Sequence, residues 1–201
     1  MGFSIVGGFI YLSTYIPYLF MGRSLMDVYE LQWRMLSYHS GLHVTHPYSS
    51  EWWMWPFMIK PLWLFYTELP NGLVSTITAL GNPVIWWIGF PLVFLSLWRG
   101  VKEKRMEHLF LASIFLFQWI PYLFISRCLF IYHYYSNIPL MILVSSGFLS
   151  EFWGKPKNRR FVKIYLIAVV SAFILFYPVI SGYPVPHWFK EALRLFRSWA
   201  F

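Results

Sequence analysis

The chain has 201 residues, of which 58% are hydrophobic, 23% aromatic and only 12% charged. A soluble domain carries about twice that charged fraction, and 12 Trp, 14 Tyr and 20 Phe exceed what one soluble core uses, so composition excludes an ordinary water-soluble domain. The net charge of +8 falls in short basic clusters between apolar runs, which suits topology signals and anionic lipid headgroups and argues against a nucleic-acid surface.

Charges divide the chain into blocks near the roughly 20 residues that a spanning helix requires. The first predicted span, Met1 to about Met21, lacks a basic n-region and a small-residue cleavage site, so it reads as a helix and not a signal peptide. The loop from Gly22 to Val74 opens with apolar positions 25, 28, 31, 35 and 36 at helical spacing, which predicts a short amphipathic helix lying on the bilayer. His39, His43 and His46 follow. They would bind a metal if the first two shared a helical face, but Gly41 and Pro47 weaken that helix and no carboxylate is regularly spaced with the imidazoles. The expectation is hydrogen-bonding or structural histidines and no metal. His46-Pro47-Tyr48-Ser49-Ser50 places an imidazole and hydroxyls on an extended turn, because a residue before proline avoids the helix. Trp52, Trp53, Trp55, Phe57, Trp63, Phe65 and Tyr66 come next, with Pro56 and Pro61 preventing one continuous helix. Two readings stand for this run. It is an interfacial aromatic belt, or a groove for a lipid-linked or sugar substrate in which Lys60 offers a cation to a phosphate.

The second predicted span runs from about Ser75 to Trp98 and the third from His108 to about Ile125. Arg127 then sits between two apolar runs, where an arginine costs a few kcal/mol unless it snorkels or meets an anion. Snorkelling to the surface is one reading. Phosphate coordination is the other, with His133 and Tyr134 within two turns of a guanidinium that suits the anion. The single cysteine, Cys128, excludes an internal disulfide and a multi-cysteine metal site and is expected to pack as a small hydrophobe. The fourth span runs from about Leu129 to Leu149 and the fifth from about Phe161 to Ile180. Pro83, Pro91, Pro121 and Pro139 fall inside or near span ends, where bundle neighbours re-satisfy the freed backbone groups. In the tail, Trp188, Ala192, Leu195 and Trp199 share one helical face and Lys190, Arg194 and Arg197 the other, which predicts an interfacial helix.

Basic residues orient these spans. Arg99, Lys102, Lys104 and Arg105 join spans two and three; Lys155, Lys157, Arg159, Arg160 and Lys163 join spans four and five. The positive-inside rule puts both connections in the cytoplasm, so the N-terminus is expected inside and the 22–74 loop and the tail at 181–201 outside. The expected fold class is all-α, a polytopic membrane bundle of about five helices with interfacial helices in the outer loop and tail.

Against this frame the residues resemble the C-terminal membrane region of the protein O-mannosyltransferases, polytopic GT-C-type glycosyltransferases. The resemblance rests on Tyr38-His39-Ser-Gly-Leu42, on Thr45-His46-Pro47-Tyr48-Ser-Ser-Glu-Trp52-Trp53-Met-Trp55-Pro56 and on Lys60-Pro61. It continues in Ser126-Arg127, Tyr132-His133-Tyr134, Phe176-Tyr177-Pro178, Ser181-Gly182, Pro184-Val-Pro186 and Ser198-Trp199. It implies that residues 1–21 are the last helix of a preceding membrane region and 22–201 a C-terminal four-span region. It further implies inverting, metal-independent and cofactor-free transfer of mannose from a polyprenyl (dolichyl) phosphate to Ser or Thr hydroxyls of an acceptor protein. By the same resemblance Arg127, His133, Tyr134 and Lys60 hold the lipid phosphate, and His46, Tyr48, Trp52 and Trp53 line the sugar or acceptor side. The family's catalytic acidic pair is matched by none of Asp27, Glu30, Glu51 and Glu68. The chain is therefore expected to carry no catalytic residue and to need a separate N-terminal half. The competing reading is a non-catalytic membrane subunit that binds a lipid or a partner protein. Its expected place is the plasma membrane of a prokaryote or the endoplasmic reticulum of a eukaryote.

Overall fold

A computed structural model of the chain describes residues 2–42 and 44–201. They divide into two compact units, Met1–Val44 and Thr45–Phe201.

The first unit holds α1 (Gly2–Ser13), α2 (Ile16–Phe20) and α3 (Leu25–Ser40). The first predicted span is therefore interrupted at Thr14 and Tyr15, and residues 4–20 meet α3 at a bend of 115°. The expected amphipathic helix is α3. Ser24 caps it by accepting from the Asp27 backbone, while the Asp27 carboxylate accepts from Ser24 N at 2.7 Å and from its hydroxyl at 2.9 Å. Those bonds hold the Asp27 carboxyl below the usual carboxylate range. Leu25, Met26 and Leu36 stay exposed, as suits a helix lying at an apolar interface.

The second unit is mainly helical: α4 (Pro83–Lys102), α5 (Met106–Trp119), α6 (Ile138–Trp153), α7 (Arg159–Ser181) and the short α8 (His187–Ala192). Among the described residues, three continuous helical stretches are long and apolar enough to cross a membrane, Pro83–Lys102, Met106–Phe124 and Pro156–Ser181, or up to four if the bent pair of the first unit is one broken span. The chain is an integral, multi-pass membrane protein. The fourth predicted span differs in detail. Ile131–Asn137 winds as a 3₁₀ turn before α6, because Pro139 in the first turn of α6 favours starting a helix there over continuing one.

The second span also starts later than its hydropathy suggests. Residues 73–79 form β2 (Leu73–Ala79), which pairs antiparallel with β1 (Leu62–Glu68) from Leu62↔Ala79 to Glu68↔Val74. A bulge falls between Trp63 and Phe65, and a short β3 (Val185–Pro186) adds to the other edge of β2. The β-branched run of β2 favours the pleat. Its buried hydroxyls are all satisfied: Ser75 donates to Gly182 O, Thr76 to Phe65 O and Thr78 to Ala200 O. Asn82 then starts α4, its side chain accepting from Val84 N and Ile85 N while its amide donates to Val169 O at 2.9 Å.

α4 is the hub and packs on α5, α6 and α7. At Gly100 it approaches α5 so closely that a Cβ would lie 2.7 Å from the Leu109 backbone. Gly100→Ala is expected to destabilise the bundle by about 1–3 kcal/mol through overpacking, read as a lower unfolding midpoint in detergent; an unchanged midpoint would mean that this contact is slack.

The two basic connections meet at one end of the bundle. Arg99 donates to Glu151 at 2.6 Å, Arg105 donates to its other oxygen, and His108 Nε2 lies 3.9 Å from it. Buried Ser96 meets His108 Nδ1 at 2.8 Å, so one carboxylate ties together the ends of α4, α5 and α6. The two arginines hold the Glu151 carboxyl at about 2. A lowered carboxyl value contributes stability that is present above the ordinary carboxylate range and lost as pH falls toward about 2. Glu151→Gln is expected to cost about 1–3 kcal/mol, less than for a fully buried pair because the carboxylate is partly solvated. The variant should also lose most of the fall in unfolding midpoint between pH 5 and pH 2.5; an undiminished acid fall would assign it to other groups.

The tail departs from expectation. α8 covers six residues, and the chain then turns so that Trp199 is fully buried while Trp188 and Leu195 stay exposed. Trp199 Nε1 donates to Met58 O at 2.7 Å and its ring meets Phe176, Phe196 and Phe201. One buried indole with an acceptor outweighs a continuous amphipathic stripe.

Candidate functional site

At the end opposite the basic connections, the 45–58 segment folds against the residues between α5 and α6. Ser50 N donates to Leu129 O at 2.8 Å, and Trp119 Nε1 donates to Trp52 O at 3.1 Å. These two bonds bring into one place residues that lie some 70 positions apart in sequence, as the Trp52–Trp119 separation of 67 shows.

Trp55 is the pivot. It is fully buried, and its indole N–H donates to the Ser50 hydroxyl at 2.9 Å. His133 stacks on it, with centroids 5.9 Å apart and planes 10° from parallel, and Tyr122 meets it edge-on at 5.0 Å. His133 also stacks on Tyr132 at 4.4 Å, and Tyr132 on Phe130 at 5.5 Å. Phe130 meets His46 at 5.1 Å, which closes a run of rings from Trp55 to the loop. The half-buried His133 has its Nδ1 2.9 Å from Phe130 O. Phe130 N also lies 3.3 Å from Nδ1, so the Phe130 backbone engages that nitrogen in either tautomer and Nε2 is the one left for a ligand.

His46 is exposed, and its Nδ1 accepts from Tyr48 N at 3.1 Å, so its neutral ring carries the proton on Nε2. Tyr48 continues the rings to Trp63 at 5.5 Å, and Trp63 to Tyr66 at 5.5 Å. The ammonium of buried Lys190 lies 4.8 Å over the Tyr66 ring and donates to Phe201 O. The aromatic run after residue 51 is therefore divided. Trp55 and Trp52 face the helices, whereas Trp63 and Tyr66 belong to β1.

The structure joins some predicted site residues and leaves others apart. His46, Tyr48, Trp52 and His133 are brought together, and half-buried Arg127 lies three residues before Phe130 in the same segment. Trp53 is exposed. Lys60 is half-buried ahead of β1, and no hydrogen bond or ring contact joins it to His133 among the described residues. Tyr134 is fully buried, its hydroxyl 3.5 Å from the Met141 sulfur and its ring against Trp86 and Phe115. That setting is apolar core, with no exposed surface on the side chain. His39 lies in the last turn of α3, and His43 falls outside the described residues. Among the described residues no group of three His, Cys, Asp or Glu is placed to hold a metal.

Phe130 and Tyr122 are contributors that pattern reading passed over, and Tyr132 entered it only within the Tyr132-His133-Tyr134 motif. The signal was the aromatic density of 130–135, which hydropathy read as span. Asn137, at the end of the same 3₁₀ turn, is fully buried with neither amide atom hydrogen-bonded.

Residues 24–199 match the family model of the C-terminal four TMM region of protein-O-mannosyltransferase. The chain is 25% identical over 183 residues to a polyprenol-phosphate-mannose–protein mannosyltransferase of Corynebacterium glutamicum, covering 82% of this chain and 35% of that protein. It is 23% identical over 217 residues to the enzyme of the same name from Mycobacterium tuberculosis, covering 88% of this chain and 41% of that one. It thus spans between a third and about two fifths of the length of these relatives. A solved structure of the Saccharomyces cerevisiae protein O-mannosyltransferase Pmt1–Pmt2 complex bound to the sugar donor shares the fold. Its TM-score is 0.71 at 18% identity, over 89% of this chain and 27% of that one.

Proposed function

The chain belongs to the protein O-mannosyltransferase family by its C-terminal four-span region, and on that premise we propose that it forms the lipid-phosphate and acceptor side of a mannosyl-transfer site. The donor is a polyprenyl-phosphate mannose and the acceptor a Ser or Thr hydroxyl of a protein. The observation that carries this reading is the joining of the 46–55 loop to the 127–133 segment, through Ser50 N–Leu129 O and the rings from His46 to Trp55.

In this mechanism the acceptor oxygen attacks the anomeric carbon as the bond from that carbon to the phosphate oxygen breaks, so the configuration inverts. The hydroxyl proton goes to a carboxylate of the family's acidic pair, which belongs to the family's N-terminal region. The pair of electrons leaves on the lipid phosphate. Arg127 meets that developing charge with a guanidinium, and His133 donates to it from Nε2. Lys60 supplies a further cation at the rim of the site. His46, Tyr48, Trp52 and Trp53 form the shelf on the sugar and acceptor side, where flat rings and N–H donors suit a hexose. Tyr134 supports the site from below as packing. No metal or cofactor takes part. The basic end faces the cytoplasm by the positive-inside rule, which places the site extracytoplasmically, with the N-terminus inside and the C-terminus outside.

The test is mannose transfer from polyprenyl-phosphate mannose to a Ser/Thr peptide in membranes holding this chain together with a family N-terminal region that bears the acidic pair. Transfer that requires both parts supports the assignment. No transfer, where a full-length relative is active in the same membranes, would favour a non-catalytic subunit.

A further inference from the structure

β1 is the outer strand of its sheet: β2 pairs with one side of it, and among the described residues no strand pairs with the other. The main-chain groups on that open side follow from the ladder. Leu69 N donates to Leu73 O at 2.9 Å and Phe65 O accepts from the Thr76 hydroxyl at 3.0 Å, which turns residues 65, 67 and 69 toward β2. The direction alternates along an antiparallel strand, so Tyr66 and Glu68 present N–H and C=O outward. Among the described residues the Thr67 hydroxyl alone approaches Glu68 O, at 3.5 Å.

Two independent observations point to an occupant. The first is that the edge is left open. Sheet edges are ordinarily blunted by lysine, proline or a bulge, because an open edge is a template for another chain. The strand Leu62-Trp63-Leu64-Phe65-Tyr66-Thr67-Glu68 holds no lysine or proline; its one charge is at its end, and its bulge is confined to the step from Trp63 to Phe65. Leu64 and Phe65 are exposed beside it. The second observation is that the edge runs into the acceptor shelf. Trp63 meets Tyr48 at 5.5 Å, and Tyr48 meets His46 at 5.9 Å. At about 3.3 Å per extended residue, no more than about four residues separate the start of the strand from His46.

We propose that the outer edge of β1 takes an extended segment of the acceptor protein as an added strand. The segment pairs with the main chain of Tyr66 and Glu68, passes the bulge, and lays its Ser or Thr on the shelf beyond Trp63. Main-chain pairing holds an extended segment whatever its side chains, which suits acceptors that share only a hydroxyl residue. The identity of the occupant rests on the reading of this end as the acceptor side of a mannosyl-transfer site.

The experiment is binding of a fluorescent Ser/Thr peptide to the full chain in detergent, read by anisotropy, with a backbone N-methyl group moved one residue at a time along the peptide. Methylation of alternate residues in the stretch to one side of the hydroxyl should weaken binding by about tenfold or more, and methylation of the residues between them should not, because alternate N–H groups face the edge. Glu68→Pro removes an outward donor at an edge position where proline is tolerated, and should weaken the unmodified peptide by a similar factor. Glu68→Ala keeps that donor and should keep the alternation. Binding that ignores methylation, or that falls alike at every position, would overturn the proposal. So would a chain that dimerises through this edge, with Glu68→Pro monomeric and the peptide unbound. Alternating sensitivity in binding without mannose transfer in membranes would support the edge and count against the transfer reading, so the two claims fall separately.

Discussion

Replacing Trp55 with alanine is expected to destabilise the chain by about 3–5 kcal/mol, the usual cost of deleting a large buried aromatic. The reasons are local and additive in kind. Trp55 is fully buried, its indole satisfies Ser50, and three rings lean on it: His133, Tyr122 and Tyr134. Deleting the ring leaves a cavity at the point where the loop meets the 3₁₀ turn, and it releases the imidazole that the site uses. Trp55→Phe keeps most of the packing but strands the Ser50 hydroxyl, for an expected cost of about 1–3 kcal/mol. Unfolding midpoints in detergent should rank wild type above Trp55→Phe above Trp55→Ala. If Trp55→Ala unfolded at the wild-type midpoint, the loop would not be anchored through this residue, and the joining of the two segments would lose its physical basis.

Much of the architecture was legible because hydropathy and charge act over whole helices. The basic runs at 99–105 and 155–163 predicted that both connections lie on one side of the membrane, and in the structure Glu151, bridging Arg99 and Arg105, joins the ends of α4 and α6 there. The amphipathic helix beginning at Leu25 was visible for the same reason, since its apolar period and the Ser24–Asp27 cap agree. What periodicity could not show was the hairpin. In an apolar sequence, the residues from Ser75 look like the start of a span, and only the partner strand, 62–68, turns 73–79 into a ladder. The tail failed for a related reason. Its stripe at 188, 192, 195 and 199 was genuine, but the burial of Trp199 under Met58 O is a long-range contact that no local pattern encodes.

The site divides along the same line. His46, Tyr48, Trp52 and His133 were singled out from the sequence, and the fold joins the segments that carry them. Tyr134 shows the limit: adjacent in sequence to His133 and also against Trp55, it is fully buried and reaches on toward Met141, Trp86 and Phe115. In a 3₁₀ turn neighbouring side chains diverge by about a third of a turn, so proximity in sequence did not mean a shared role. Phe130 was missed because an aromatic in an apolar run carries no distinguishing mark until its stacking partner is known.

The second large effect expected is at Arg127, and it bears most directly on the function. In the proposed site the Arg127 guanidinium meets charge that grows only as the glycosidic bond breaks, so its loss should appear in turnover more than in donor affinity. Removal of one such donor typically costs about 10²–10³ in rate. Lysine at the same place keeps the charge and loses the planar fork, and should recover part of the rate. His133→Ala should act in the same direction, with an added loss of stability because its ring also packs on Trp55 and Tyr132. The decisive measurement is single-turnover mannose transfer from polyprenyl-phosphate mannose to a Ser/Thr peptide, comparing Arg127→Ala and Arg127→Lys with the wild-type chain in membranes that also hold the N-terminal region. A fall of two orders of magnitude or more for alanine, partly restored by lysine, with unfolding midpoints unchanged, is the predicted result. Transfer and donor affinity equal to wild type in Arg127→Ala would contradict the phosphate assignment.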